Sequence, residues 1–333
     1  LGFHAVASPT LTTRDLRIAS LRDTDLDGLE KLFDEQCQEW LDLLHWDYSR
    51  PSALIRDVAR QRDLPGIAIT AGSEVVGCGF WVVEQGRCSI GDIYVAKKWR
   101  GARVDSTLAT AILDELDETR GFRRIESQCV NVGSEGVNEV FVSRGFQRFS
   151  RLYMMMDPAR ETSMTSRRRL SPRSVFADVE IRPWRDEVFD GAAHVIYRSY
   201  RDEDDRLINS QYRTERGCGE LLGVLTGHVW CGEFLPQVSA VAVNRESGRL
   251  VGVLIALRIA PGIGHIGQIS ILPEYQGAGV GRRLISAALS EFTRLDFNAL
   301  SLAVTASNRR ALGLYESCGF QTVHSFPVFC REQ

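Results

Sequence analysis

Apolar and polar positions along this chain follow two periods, and the order in which those periods come occurs twice. Each half opens with a short extended segment, 16–19 in the first and 179–183 in the second, with acidic residues soon after. In the first half Leu26, Leu29, Leu32 and Phe33 then recur at helical spacing, so a strand leads into a helix. In the second half two runs rich in Val, Ile and Leu, 238–243 and 250–259, flank a turn at 244–249 that contains Gly248, which predicts an antiparallel hairpin. A further strand is expected at 265–272. Over 282–292, Leu284, Ile285, Ala288, Leu289 and Phe292 fall on one face and predict an amphipathic helix. A strand at 299–305, a helix from about 308 to 318 and a last strand near 320–329 complete the half. That mixture predicts an α/β sheet with helices packed on it.

The two halves are related residue by residue. With Ile90 set against Ile266, an offset of 176, Ile90-Gly91-Asp92-Ile93-Tyr94-Val95 lies opposite Ile266-Gly267-Gln268-Ile269-Ser270-Ile271. The same offset pairs Gly101-Ala102 with Gly277-Ala278, Val104 with Val280, Leu108 with Leu284 and Glu115 with Glu291. Ser143-Arg144-Gly145-Phe146 matches Ser317-Cys318-Gly319-Phe320 at an offset of 174, so the copies differ in length by two residues between these blocks. A duplicated domain accounts for the register. The stretch 157–178, with Pro158, Pro172 and five arginines but little apolar periodicity, reads as the linker between domains 1–156 and 179–333. The run Arg167, Arg168, Arg169 is taken as solvated linker charge.

Composition narrows the function classes. A chain of 333 residues with 44% apolar and 25% charged residues can bury two ordinary cores. A formal net charge of −3 supplies no concentrated basic field, so nucleic acid and membrane surfaces are poor partners and small molecules or proteins better ones. No apolar run reaches the roughly 18 residues of a membrane span, and the eight cysteines are scattered without metal-ligand or disulfide spacing. Reduced thiols, no metal and a cytoplasmic location are expected; the oligomeric state is left open.

The candidate chemistry lies in the second half. Between the strand ending at Leu272 and the next helix stands Gln276-Gly277-Ala278-Gly279-Val280-Gly281. Alternate glycines let backbone approach a ligand closely, consecutive amides can converge on an anion, and the following helix N-terminus adds partial positive charge, with Arg282 and Arg283 behind it. There is no GxxxxGK[ST] and the loop follows an antiparallel series, so ATP and NAD are poor candidates. A second block, Asn308-Arg309-Arg310-Ala311-Leu312-Gly313-Leu314-Tyr315-Glu316-Ser317-Cys318-Gly319-Phe320, places Asn308 and Tyr315 two helical turns apart on one face. Taken singly, Asn308 is a helix cap and Tyr315 a packed ring; Gly319-Phe320 is a helix stop and a core aromatic.

Together the two blocks resemble the GNAT acetyltransferase superfamily: the loop matches its Q/R-x-x-G-x-G/A motif, and the second block its N-x-x-A-x-x-x-Y-x-x-x-G-F segment. The resemblance implies two tandem GNAT-like domains, each a mixed, mostly antiparallel sheet flanked by helices. It implies that 276–281 and Arg282 hold the pyrophosphate of acetyl-CoA or another acyl-CoA. It further implies that Ile269, Ser270, Ile271 and Leu272 hold the pantetheine and polarise the thioester, that Asn308 bonds the CoA arm, and that Tyr315 protonates the departing thiolate. The implied activity is direct acyl transfer to a primary amine of a small molecule or protein; the alternative is a non-enzymatic acyl-CoA sensor or interaction module. No general base stands out among Glu233, His228, His265 and the cluster Asp202, Glu203, Asp204, Asp205, and Glu274 reads as surface. That acidic cluster should follow the first helix of the second domain, where it would attract a cationic amine.

The first copy departs from the pattern. Its loop reads Arg100-Gly101-Ala102-Arg103-Val104-Asp105, and Phe141 stands opposite Tyr315. Ser134, or Asn131 if the length difference falls elsewhere, stands opposite Asn308. A copy that supports the fold without binding acyl-CoA is expected.

Overall fold

The computed structural model describes residues 16–101, 103–128, 135–158, 178–227 and 231–333. Nearly all of the expected linker lies outside the described residues, as do Asn131, Ser134 and His228. The chain divides into two compact units, the first made of Leu1–Gln36, Ile55–Phe146 and Glu332–Gln333, the second of Cys37–Leu54 and Gln147–Arg331.

Up to residue 156 the elements are β1 (Leu16–Ser20), α1 (Leu26–Leu44), α2 (Ser49–Arg60), β2 (Gly66–Ala71), β3 (Glu74–Glu84), β4 (Arg87–Val95), α3 (Val104–Glu118), β5 (Arg124–Ser127), α4 (Glu135–Ser143) and β6 (Gln147–Met156). In the first unit the strands run β1-β2-β3-β4-β5, antiparallel except for the parallel pair β4 and β5. Helix α3 buries Leu108, Ile112, Leu113 and Leu116, a stripe at helical period.

The later elements are β7 (Val179–Pro183), α5 (Phe189–Ser199), α6 (Asp205–Ile208), α7 (Glu215–Gly227), β8 (Glu233–Phe234), β9 (Ala240–Asn244), β10 (Leu250–Ala260), β11 (Ile263–Ile271), α8 (Val280–Arg294), β12 (Ala299–Thr305), α9 (Arg309–Ser317) and β13 (Gln321–Glu332). The predicted elements recur with boundaries shifted by a few residues. Helices α2 and α7 were not expected. Four glycines in α7, at 217, 219, 223 and 227, dilute its helical pattern, although Cys218, Leu222 and Leu225 are buried at helical spacing.

The second unit's strands run β13-β6-β12-β11-β10-β9-β7, with β8 beside β10. Val251, Val253, Leu254, Ile255, Ala256 and Leu257 of β10 are all fully buried, which is why that segment reads as a continuous apolar run rather than an alternating one. Strand β6 is the end of the first sequence repeat, yet it lies between β12 and β13, pairing Met154 with Leu302 and Phe149 with Val328. Its Met154 and Met156 belong to the core that also holds Val253, Leu284 and Phe292. The compact units therefore do not follow the repeat: 147–156 and 37–54 are built into the second.

One break in the pairing shapes the second unit. Strands β11 and β12 pair in parallel only over Ile263–Ile266 and Ala299–Leu302. Beyond that point β11 stays with β10 as far as Ile271, and β12 stays with β6 as far as Thr305. The two strands part, and their facing edges carry backbone N–H and C=O groups without a strand partner. In the first unit β4 and β5 are paired over the corresponding short stretch, Arg87–Ile90 with Arg124–Ser127.

Candidate active site

A cleft of about 510 Å³ opens in the second unit where β11 and β12 part. Ile269, Ser270 and Ile271 line one side; Ala303, Val304 and Thr305 line the other. The 276–281 loop and the start of α8 close one end, α9 flanks it with Asn308, Leu314 and Tyr315, and Tyr200, Glu203 and Asp205 come from the segment after α5. The acidic cluster thus follows the first long helix of the second repeat, as expected from the sequence.

The loop owes its path to two glycines. Gly277 and Gly279 have φ of 76° and 84°, the left-handed region, and no atom lies within 4 Å of where a Cβ would project from either. Gly279 precedes α8 with no side chain capping the helix, and the first helical hydrogen bond is donated by Arg283 N–H to the Gly279 carbonyl at 3.1 Å. The amides ahead of Arg283 consequently have no partner inside the helix, and the helix dipole adds positive potential at the same place. Such an end is a natural seat for phosphate.

Gly281 has another reason to be glycine. A Cβ there would stand 3.0 Å from Leu314 Cδ2 and 3.2 Å from Ile271 Cδ1, so its bareness lets α8 approach both α9 and β11. Gln276 lines the cleft, and its Nε2 donates to the Ile271 carbonyl at 3.0 Å, which staples the loop to β11. Arg282 bonds the Ser317 hydroxyl and donates to the Ser317 carbonyl at 3.3 Å, joining α8 to the end of α9. Leu272 and Val280 are buried in the core, with the Leu272 N–H given to the Val251 carbonyl at 2.9 Å. Ala278, unlike Gly277 and Gly279, is not among the residues lining the cleft.

Asn308 caps α9, its Oδ1 accepting from Ala311 N–H at 3.0 Å, which leaves the side-chain amide as a donor facing the cleft it lines. Tyr315 is 6% exposed and packs edge-on against Phe320 with ring centroids 6.0 Å apart, while its hydroxyl has no hydrogen-bond partner among the described residues. Burial, and then the neighbouring Tyr200 and Asp205, push its pKa well above the usual phenol range, so the group is a held proton. Behind it, Gln268 binds three hydroxyls: Nε2 donates to Tyr200 at 3.0 Å and Ser270 at 2.9 Å, and Oε1 accepts from Tyr212 at 3.1 Å. Tyr200 and Tyr212 stack at 4.0 Å, which makes one rigid wall. Nothing in the spacing of Tyr200, Tyr212 and Gln268 marked them; they meet only through tertiary packing.

Among the proton acceptors weighed from sequence, Glu233 is paired with Arg258 at 2.9 Å away from the cleft. His265 is buried, bonded through Nδ1 to Ser301 at 2.9 Å, and burial lowers its pKa to about 4. Neither lines the cleft. Glu203 does, and burial raises its carboxyl pKa; Arg310 opposes that shift while Asp205, Asp204 and Asp202 add to it. Asp204 accepts from the Ser307 hydroxyl at 2.6 Å. Glu274 lies on the surface, paired with Arg249 at 3.0 Å.

The first unit keeps the loop's backbone and changes its side chains. Gly101 and Arg103 have φ of 79° and 63°, close to Gly277 and Gly279, so a non-glycine residue is held in the left-handed region at a cost of about 1 kcal/mol. Asp105, opposite Gly281, is 5% exposed with an unpartnered Oδ1, and burial raises its pKa against the pull of Arg100. Phe141, opposite Tyr315, packs edge-on against Phe146 at 4.8 Å and has no hydroxyl.

Comparison with known proteins agrees with this architecture. The model of the acetyltransferase (GNAT) family matches residues 26–146 and 229–320, most of both repeats. The chain belongs to that family and is by class an N-acetyltransferase. A mycothiol acetyltransferase of Thermobifida fusca is 27% identical over 78% of this chain and 80% of its own. A spermidine N(1)-acetyltransferase of Vibrio cholerae is 48% identical over 16% of this chain and 31% of its own. Among solved structures, a GCN5-related N-acetyltransferase from Sphaerobacter thermophilus superposes with a TM-score of 0.59 at 16% identity, over 97% of each chain. A tandem GNAT protein from the clavulanic acid pathway gives 0.58 at 14% identity, over 95% of this chain and 98% of its own. No helix of the described residues is long and apolar enough to cross a membrane.

Proposed function

We propose that the second repeat transfers the acetyl group of acetyl-CoA directly to a primary amine of a small molecule, within one ternary complex in the cleft between β11 and β12. One observation carries this reading: an uncapped helix N-terminus behind a bare glycine loop and an unpartnered, buried tyrosine hydroxyl line the same cleft. Bound acetyl-CoA supplies an activated thioester and a pyrophosphate. The open amides of 277–282 and the dipole of α8 neutralise the pyrophosphate, with Gln276 and Arg282 fixing the loop rather than touching the ligand. The free edge of Ile269–Ile271 offers backbone groups to the pantetheine arm and the thioester oxygen, and the Asn308 amide offers a donor across from it.

The amine nitrogen forms the new C–N bond as the C–S bond breaks; Tyr315 gives its proton to the sulfur, and Glu203 takes the proton lost by nitrogen. A carboxyl shifted upward is better matched to that task than an ordinary one. The names of the mycothiol and spermidine acetyltransferases among its relatives fit a small amine as acceptor. We further read the first repeat as silent: Arg103, Asp105 and Phe141 replace the bare positions and the acid, although the loop backbone persists.

The test combines calorimetry with thiol release over a panel of primary amines. Wild type should bind acetyl-CoA at one site and release CoA with at least one amine. Gly279→Asp, which sets a carboxylate over the open amides at a left-handed position that a side chain occupies at a cost of about 1 kcal/mol, as Arg103 does in the first repeat, should weaken binding by at least about tenfold. Tyr315→Phe should keep the affinity and lose about 100-fold in kcat. Unchanged kcat in Tyr315→Phe, or no binding to wild type, would overturn the reading.

A further inference from the structure

The cleft contains one charged side chain that is nine-tenths buried and only half used. Asp205 begins α6 and its side chain is 10% exposed. Its Oδ1 accepts from Arg151 Nη2 at 2.9 Å and from the Thr305 hydroxyl at 2.9 Å. Its Oδ2 has no partner among the described residues, and Asp205 lines the cleft together with Thr305 and Tyr315. That oxygen is an unused acceptor on the wall of the cleft, placed to meet a ligand that donates to it. The same charge acts on the hydroxyls of both Tyr200 and Tyr315, which places it beside the proton donor rather than at the loop end of the cleft.

We propose that Asp205 seats the acceptor in this cleft, its Oδ2 accepting a hydrogen bond from the N–H of the reacting amine, and that Arg151 is the positioning residue that holds the carboxylate in that pose. The inference rests on the transferase reading above and names the group that orients its second substrate. The cleft is electrically divided: the α8 N-terminus and Arg282 stand at the loop end, Asp205 and Glu203 at the other. Arg310 also lines the acidic end, where its charge acts on Glu203. Donation by the amine to Oδ2 points the nitrogen lone pair away from the carboxylate, leaving it free for the thioester, while Glu203 remains the proton acceptor.

Arg151 gives the first repeat a role in this chemistry. It lies on β6, the strand that the sequence repeat assigns to the silent copy and that pairs with β12 at Thr305. The residue that orients the carboxylate thus comes from the copy without an active loop. Its guanidinium and the Thr305 hydroxyl both hold Oδ1, which decides how an amide would sit in the same place. In Asp205→Asn the carbonyl oxygen stays with these two donors and the NH₂ replaces Oδ2, so a donor faces the amine where an acceptor is needed.

The experiment is steady-state acetylation of the best amine from the panel, alongside acetyl-CoA calorimetry and thermal melting, for wild type, Asp205→Asn, Arg151→Met and Arg151→Lys. Asp205→Asn should lower kcat/KM for the amine by about 10- to 100-fold, with acetyl-CoA affinity within twofold of wild type. Arg151→Met should raise the amine KM more than it lowers kcat, and Arg151→Lys should recover part of the loss. Unchanged amine kinetics in Asp205→Asn would overturn the proposal while the transferase reading stands. Equal loss of acetyl-CoA affinity and melting temperature in that variant would make the residue purely structural, which also overturns it. Wild type that binds acetyl-CoA but acetylates no amine would instead bring down the transferase reading.

Discussion

At the scale of single residues, identity and role separate. Gly277, Gly279 and Gly281 look equivalent in the motif, but the first two are glycine because of left-handed φ and the third because a Cβ there would stand only about 3 Å from Leu314 and Ile271. Gln276 and Asn308 read from sequence as ligand contacts, and in the structure each spends a polar atom on the backbone, Gln276 on Ile271 and Asn308 on Ala311. Tyr315 keeps its hydroxyl unspent. Burial also sets the acid behaviour of His265, whose pKa of about 4 lies below the usual 6.5. Above pH 6.5 both folded and unfolded chains carry the neutral ring; between about 6.5 and 4 only the unfolded chain takes up the proton. Stability should therefore fall with pH across that window, by on the order of 3 kcal/mol from this residue. The unfolding free energy of His265→Phe, followed by denaturant titration from pH 7 to pH 4.5, should fall less steeply than that of wild type. Parallel slopes would show that the ring does not titrate as its burial implies.

At the scale of elements, the cleft is a consequence of pairing that stops early. Strands β11 and β12 bond over four residues and then each follows its other neighbour, so a gap with unmatched backbone edges opens inside a sheet. The two helices that border it meet it differently: α8 offers uncapped amides, and α9 is capped by Asn308. That cap allows two functions of Asn308 to be separated. Asn308→Ala loses both the cap, worth about 1 kcal/mol, and the amide donor, so both melting temperature and acetyl-CoA affinity should fall. Asn308→Asp keeps the oxygen that accepts from Ala311 and loses only the donor, so it should melt as wild type does while binding acetyl-CoA less tightly. Equal affinity in Asn308→Asp would remove the side-chain amide from the binding site. The hairpin and the strand and helix order were legible because β10, α8 and β12 have strong local patterns; α7 was not, because its glycines mask a buried stripe.

At the scale of the whole molecule, a duplicated sequence does not produce two self-contained bodies. The second unit takes β6 into its sheet and Met154 and Met156 into its core, and it includes 37–54. A protein comprising 157–333 alone should lack a cooperative thermal transition and fail to bind acetyl-CoA, since β12 and β13 would lose the strand between them. A cooperative melt with wild-type affinity would show that the second repeat stands by itself. By itself the sequence determined the duplication, the family, the glycine loop ahead of a helix and the pairing of Asn308 with Tyr315 on one helix face, because each rests on residues close in the chain or in fixed register. The tertiary structure decided which unit β6 completes, why Gly281 is bare, and that Glu203 and Asp205 line the cleft while Glu233 and His265 do not. Those outcomes depend on long-range strand pairing and on burial, and neither is written in the spacing of residues along one segment.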